Sequence, residues 1–391
     1  MTSFQQFRAD FERLLDGRDG DRVDGALGVH RPDVYRPLAF SLEVDECDDF
    51  LALCRQRQLM VCDQLVGQLR EWIACSADSL TGLDDAAIDA RVRAELETVN
   101  GQALAYGTWF YYPWRHRMVH LLSRESFATV RSNRNRNKIT RSEQQRLRQA
   151  RVGVVGLSVG HAVAMVLAQE GLCGQLRLAD FDVLELSNLN RLRTTVFNLG
   201  VPKATIAARD VAEIDPYLDV QVFPDGVDQD NVDRFIGPGG GAAGGLDVVV
   251  EECDSLHVKL LVRERARARG VPVVMDTNDR GLLDIERFDR EPERPILHGL
   301  LGDLDHDRAR ELAPNERLDL FSAFFGGRDR MSERFRQSLD LLGRELLGAS
   351  QLASDVHLGA ALVANAVRRI ALGQLQGSGR YTIDLESLIC D

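Results

Sequence analysis

A strand-like run, Arg151 to Val155, ends in Gly156-Leu157-Ser158-Val159-Gly160, and a helical pattern follows it. In that order the backbone N–H groups of the turn and the positive end of the helix face an anion such as phosphate. Gly156, Ser158 and Gly160 are therefore the first candidate nucleotide contacts. Asp180 ends the next expected strand, Gln175 to Asp180, about where dinucleotide folds place an acid on the ribose hydroxyls. Up to this residue an NAD site fits equally well. The continuation favours phosphate chemistry, because Asp182, Asn188, Arg191 and then Gly200-Val201-Pro202-Lys203 follow in order. Hydride transfer has no use for an Arg and a Lys converging on its phosphates. Attack of a carboxylate on the α-phosphorus of ATP does, since charge builds on non-bridging oxygens and on departing pyrophosphate. Pro202 suits the first position of a helix expected to run from near Lys203 to Ile214. Among 48 basic residues only Lys138, Lys203 and Lys259 are lysines, so Lys203 stands where Arg is the norm.

These residues resemble the ThiF/MoeB/HesA family, the adenylyltransferases related to ubiquitin-activating enzymes. The resemblance runs from about Asn133 to the C-terminus and is closest to a bacterial subgroup with a Gly-Leu-Ser-Val-Gly turn that carries a provisional molybdopterin-biosynthesis label. It implies Asp180 on the ribose, and Asn188, Arg191 and Lys203 in the nucleotide site. It also implies Asp254, in Val249-Val250-Glu251-Glu252-Cys253-Asp254, on magnesium and the phosphates. Asn135-Arg136-Asn137-Lys138 is the counterpart of an element whose Arg reaches the partner subunit's site, with Arg134 as a near alternative. The implied cofactors are ATP and Mg2+, and the implied assembly is a homodimer. The expected substrate is the carboxylate of a ubiquitin-like or sulfur-carrier protein tail, a peptide or a small acid, activated as an acyl adenylate. Such a nucleophile is ionised at neutral pH and needs no general base. The rival readings are activation of a modified tRNA base, a Rossmann NAD(P) oxidoreductase, and a nucleotide-binding scaffold without chemistry.

The departures from the family pattern are also informative. Ser158 stands where the family turn has glycine, and the turn is one residue shorter. No Cys-Xaa-Xaa-Cys pair is present to hold a structural zinc. Cys253 reads as a small buried hydrophobe within the nucleotide motif and Cys390 as part of a tail, so release of a free acyl adenylate is expected. Lys259, five residues past Asp254, faces either pyrophosphate or solvent. Arg280, in Asp276-Thr277-Asn278-Asp279-Arg280-Gly281, either meets the incoming carboxylate or is an ordinary turn arginine.

The elements that position these groups are legible as an α/β pattern after residue 130. Strands are expected at Arg151–Val155, Gln175–Asp180, Asp219–Phe223, Asp247–Glu252, Val271–Met275, Leu283–Phe288 and Arg380–Leu385, with a long apolar helix at Asp355–Leu372. Alternation with helices gives a Rossmann-like, largely parallel sheet covered on both faces, in an adenylyltransferase domain at 131–391. Residues 1–130 read as a mainly helical domain of unknown role, with long periodic stretches at Cys47–Ile73 and Asp84–Thr98. Its Trp109-Phe110-Tyr111-Tyr112-Pro113-Trp114 cluster reads as packing in the seam between domains rather than as a substrate groove. His116 and His120, at i and i+4, read as hydrogen-bonded or surface histidines rather than as metal ligands. At 391 residues, two or three domains of ~100–200 residues are the prior. Net charge of −12 disfavours nucleic acid, and the Arg-rich segment from Arg124 to Arg151 reads partly as a dimer contact. Seven cysteines without framework spacing and a start in an amphipathic helix rather than a signal peptide suggest the cytoplasm. The apolar helix is too short to cross a bilayer.

Overall fold

A computed structural model describes residues 2–20, 33–77, 79, 81–239 and 243–389. Gly240 and Gly241 of the glycine-rich loop, and Cys390, lie outside the described residues. The chain folds as two compact units, Met1–Thr140 and Arg141–Asp391, so the division falls later than the sequence pattern suggests.

The first unit contains helices where they are expected, at Phe4–Gly20, Cys47–Gln56, Leu65–Ser76 and Asp85–Glu97, and a further one at Arg124–Arg131 within the Arg-rich segment. It also contains a sheet that helical periodicity concealed. Strands β1 (Leu38–Phe40), β2 (Met60–Asp63), β3 (Thr108–Tyr112) and β4 (Arg117–Leu121) lie in the order β1-β3-β4-β2, with β2 parallel to β4. The stretch Cys47–Ile73 is thus two helices and a strand, not one element. The first helix stops where Gln58 turns left-handed at φ 51° and Leu59 N–H donates to Cys54 O, a stop usually written with glycine. The aromatic cluster supplies this unit's own core. Trp109 and Tyr111 pack with Phe4, Phe7, Phe11, Phe40 and Phe50 within this unit, so for these two residues the role is internal core rather than seam. His116 lies in the β3–β4 turn and His120 in β4, so they share no helix face. His120 is fully buried, stacks on Trp109 and bonds Asp63 at 3.0 Å and Tyr106 O at 2.6 Å.

In the second unit, strands β5 (Arg151–Val155), β6 (Gln175–Ala179), β7 (Asp219–Phe223), β8 (Val248–Glu251), β9 (Val273–Asp276), β10 (Leu282–Glu286) and β11 (Gly379–Thr382) form one sheet. Its order is β11-β10-β9-β8-β5-β6-β7, parallel from β7 to β9 and antiparallel at β10 and β11. The buried valines of β5 and β8 suit a sheet covered on both faces. A Cβ on Gly153 would strike Phe235 and Leu246, whereas Val154 touches Gly160 on the other face, since neighbouring strand residues point oppositely. Helices Gly160–Glu170, Lys203–Ile214 and Ala353–Ala371 pack together on the Val154 side. Leu256–Ala268 packs with Val232–Ile236 and His306–Glu311 on the other. No helix among the described residues is long and apolar enough to cross a membrane.

The chain leaves β5 toward β6 and β7, then returns to β8 on the opposite side of β5. That reversal opens a crevice at the carboxyl ends of β5 and β8, where open α/β sheets bind ligands. Near it, Glu251 at the end of β8 and Glu286 at the end of β10 are both fully buried and share Arg263, at 2.5 Å and 2.6 Å. Replacing Arg263 with Leu would leave Glu286 buried without its cation and Glu251 with Lys259 alone. The expected loss is about 3–5 kcal/mol of unfolding free energy, read from urea denaturation of the purified chain. A loss below about 1 kcal/mol would show that the two acids do not depend on that guanidinium.

Candidate functional site

The glycine turn after β5 is fixed by three hydrogen bonds. Gly156 N–H donates to Ala179 O, Glu252 N–H donates to Val155 O, and Leu157 N–H donates to Asp180 Oδ2 at 2.6 Å. Gly156 has φ +84°, and a Cβ there would lie 2.7 Å from the backbone of Glu252 and Cys253. Only glycine serves both the left-handed conformation and that approach of two loops. Gly160 opens the helix Gly160–Glu170, and a Cβ there would meet Val154 Cγ1 at 2.5 Å.

Asp180 follows β6 directly and is buried. Its Oδ1 accepts the Asp182 N–H at 2.7 Å, so both carboxylate oxygens hold loop backbone while each keeps a second lone pair. Burial pushes its pKa up, against the two amide bonds and Lys203. Lys203 begins the helix Lys203–Ile214, with Pro202 one position earlier than expected, at the cap. The Lys203 side chain is buried, and its Nζ lies 2.8 Å from Asp182 Oδ2, a carboxylate that is half exposed. Asn188 is buried in the short 3-10 helix Leu186–Asn190, where its Oδ1 accepts the Glu185 N–H. Arg191 closes that helix, and its Nε donates to Ser158 Oγ at 3.2 Å. Burial lowers the pKa of Arg191, and the charge of Asp254 opposes that shift. Asp254 itself is exposed, beyond β8.

The structure therefore brings together Gly156, Ser158, Gly160, Asp180, Asp182, Asn188, Arg191, Lys203 and Asp254. Ser158 does more than replace a glycine, because its hydroxyl holds the guanidinium. Arg136 ends the 3-10 turn Asn133–Asn135 in the first unit. Lys259 is buried rather than facing solvent, and it forms part of the wall of the cavity beside Asp254. Its Nζ bonds both oxygens of Glu251, at 3.1 and 3.2 Å, and lies 5.4 Å from the Phe324 ring. Burial works to lower its pKa, but Glu251 raises it and keeps the ammonium charged. Cys253 is half-buried and donates its Sγ–H to Glu251 Oε1 at 2.9 Å. Burial, then Glu251, raises its thiol pKa well above the usual range, so it is a hydrogen-bond donor with little thiolate character, more than the plain hydrophobe expected. A cavity of about 280 Å³ opens beside Asp254, bounded by Ser255, His257, Lys259, Phe321 and Phe324.

Sequence reasoning missed the groups that support the site: Glu251, Glu252, Arg263 and Asp276. The one available signal was two adjacent glutamates closing an otherwise apolar strand. Glu252 packs against Gly160 and accepts the Asp276 N–H on Oε1 at 3.1 Å. No group of three or more acidic, His or Cys side chains poised for a metal exists among the described residues. A magnesium ion here would have one carboxylate, Asp254, with the remaining positions left to phosphate and water, which fits its preference for few protein ligands.

The geometry defines a nucleotide-type crevice on a Rossmann-like sheet. Residues 132–282 match the ThiF family. The chain is 50% identical over 281 residues to an uncharacterized protein of Mycobacterium tuberculosis (strain CDC 1551 / Oshkosh), covering 72% of this chain and 38% of that one. A sulfur carrier protein adenylyltransferase of Thermus thermophilus is 29% identical over 41% of this chain and 55% of its own length. A SAMP-activating enzyme E1 of Haloferax volcanii is 35% identical over 34% of this chain and 46% of its own. The chain thus spans less than two thirds of each of these relatives.

Asp276 gives a pH test of the packing behind the turn. Burial raises its pKa from 3.8 to about 7, with Asp355 and Asp279 adding to the effect. Because the folded state holds a proton that the unfolded state releases, stability is greatest below the unfolded pKa and falls as pH rises toward the folded one. Asp276→Asn should flatten the decline in melting temperature between about pH 4 and pH 7 and raise it at pH 7.5. An unchanged pH profile would mean that Asp276 is ionised throughout.

Proposed function

We propose that this protein is an ATP-dependent adenylyltransferase that activates a substrate carboxylate as an acyl adenylate with release of pyrophosphate. The observation that carries this reading is the convergence of Arg191, Lys203 and Asp254 on the crevice beyond the glycine turn. The relatives named as adenylyltransferase and E1 support the same reaction class. ATP binds with its phosphates at the turn and its ribose at Asp180. Lys203, now held by the half-exposed Asp182, and Arg191, now held by Ser158, turn toward the triphosphate. Their charge rises in value as negative charge develops on the α-phosphate and the leaving pyrophosphate. Asp254 is the residue that would hold magnesium, which would neutralise phosphate charge. The carboxylate attacks the α-phosphorus in line from the side of the cavity at Asp254, and the acyl portion lies against Phe321 and Phe324. The substrate is a carrier-protein tail, a peptide or a small acid, and the acceptor that consumes the adenylate is supplied by another molecule. Arg136 acts across a homodimer on the partner's nucleotide.

Arg191→Ala and Asp254→Ala should each lower ATP–pyrophosphate exchange at least 100-fold, an effect of about 2.7 kcal/mol or more, with unchanged circular dichroism. Retention of near-normal exchange by both variants would remove the mechanism. Mixing Arg136→Ala with Lys203→Ala chains should restore part of the activity, and none would return if each site were built from one chain.

A further inference from the structure

A second cavity, of about 470 Å³, opens beside the β9–β10 turn. This size falls in the range of ~300–1,000 Å³ typical of sites for small organic ligands. Arg280, Arg330 and Arg380 line it together with Leu282, Leu300 and Phe325. Asp279 is the one acid on its wall, and its Oδ2 already accepts the Ser332 N–H at 2.9 Å. Arg280 is oriented by Asp384, at 2.8 Å, and donates to Arg330 O. Arg380 Nε lies 2.9 Å from Asp284 Oδ2, and its buried Nη2 has no hydrogen-bond partner among the described residues. The Arg330 side chain is exposed, in the 3-10 turn Arg328–Arg330. Buried guanidinium donors without partners are uncommon, and a site that leaves them open is prepared for an acceptor.

The backbone supports the same conclusion. Asn278, Arg280 and Gly281 all have positive φ, at 55°, 56° and 53°, and a Cβ on Gly281 would strike Ile383 O at 2.6 Å. Left-handed Asn and Arg within four residues persist because Asp276 accepts the Asn278 N–H and Asp384 holds Arg280. The turn is pinned in a conformation that presents Arg280 to the cavity.

The register places this cavity relative to the glycine turn. Leu282 starts β10 opposite Thr382 at the end of β11, so the cavity lies at the same end of the sheet as the carboxyl ends of β5, β8 and β9. Neighbouring strands are ~4.8 Å apart, so β10 lies roughly 10 Å from β8 and 15 Å from β5. A carboxylate bound here cannot be the one that attacks the α-phosphorus.

We infer that the cavity among Arg280, Arg330 and Arg380 binds a carboxylate carried on a partly apolar arm, and that this is a second acidic group of the activated substrate. The word substrate rests on the adenylation reading, but the carboxylate site does not. The planar guanidinium fork matches a carboxylate, and Leu282, Leu300 and Phe325 cover the arm. The substrate class that follows is an acid with a second carboxylate roughly 10–15 Å from the activated one, or a peptide tail with an acidic residue about three to four positions before its end.

The test is calorimetric titration of the full chain, without nucleotide, with hexanoate and with inorganic phosphate. Hexanoate should bind saturably to the natural chain, more tightly than phosphate, and its Kd should rise at least tenfold in Arg330→Ala. Arg330→Lys should recover part of the loss, and Lys203→Ala should bind hexanoate within twofold of the natural chain. The inference is overturned by absence of saturable hexanoate binding, by equal affinity in Arg330→Ala, by loss in Lys203→Ala, or by tighter binding of phosphate. Because no nucleotide is present, a chain that fails pyrophosphate exchange can still pass this test, and the two readings fail separately.

Discussion

The carboxylate of Glu251 is the point from which the geometry of the crevice is set. It lies fully buried at the end of β8, where an isolated charge would be too costly to keep. Burial works to raise its pKa, but Lys259, Arg263 and the Cys253 thiol bring it below the usual range, so it stays ionised. The same carboxylate accepts the Cys253 N–H at 2.9 Å, so the strand end, the helix Leu256–Ala268 and the loop that carries Asp254 are joined through one group. Arg263 extends the network to Glu286, whose other oxygen accepts the Leu297 N–H at 2.6 Å. Such networks add less to net stability than their distances suggest, because desolvation offsets most of the attraction. Their contribution here is positional, since each partner is satisfied only in one arrangement.

Opposite that loop, the glycine turn shows how a shortened phosphate loop keeps its register. Gly156 allows Glu252 and Cys253 to approach to a distance that any side chain would prevent. Asp180 spends a bond on the Leu157 N–H, and Ser158 spends its hydroxyl on Arg191. A glycine at 158 would keep the first bond, which uses backbone, and lose the second. The two cations are already held in place: Arg191 by the Ser158 hydroxyl and the Asn190 amide oxygen, Lys203 by the half-exposed Asp182 carboxylate. Both side chains are thereby oriented in advance, so a ligand that engaged them would meet a smaller ordering cost, offset for Lys203 by the charge-assisted bond to Asp182 that it would have to exchange.

The parts of this architecture that were legible in the sequence are those set by local pattern. Strand β5, strand β7 and the helix from Lys203 to Ile214 have the bounds that the apolar runs imply, and the approach of Arg191 to the turn follows from motif order. What stayed hidden depends on contacts between distant segments. Strand β2 looks helical by periodicity and becomes a strand through parallel pairing with β4. Lys259 has the spacing of a helix residue facing the crevice, but the neighbouring Glu251 draws it inward. Arg380 comes from the last strand, about a hundred residues after Arg280, and only the β10–β11 pairing brings them to one cavity.

Glu251 and Glu252 show how far context, rather than residue type, sets charge in this crevice. They are adjacent, so their side chains leave β8 on opposite sides. Glu251 meets Lys259 and Arg263 and is held as a carboxylate. Glu252 meets Gly160 and the backbone of Asp276, with no cation bonded to it, and burial together with the Asp276 charge raises its pKa well above the usual range. Those two causes favour its neutral form beneath the turn, while the charge of Lys259 opposes them. Were both glutamates ionised, an unpaired negative charge would lie directly behind the loop that must receive polyphosphate, and the repulsion would act through a low-dielectric interior. Keeping one acid paired and the other protonated leaves Asp254 as the acid at the end of β8 whose charge is exposed to the crevice.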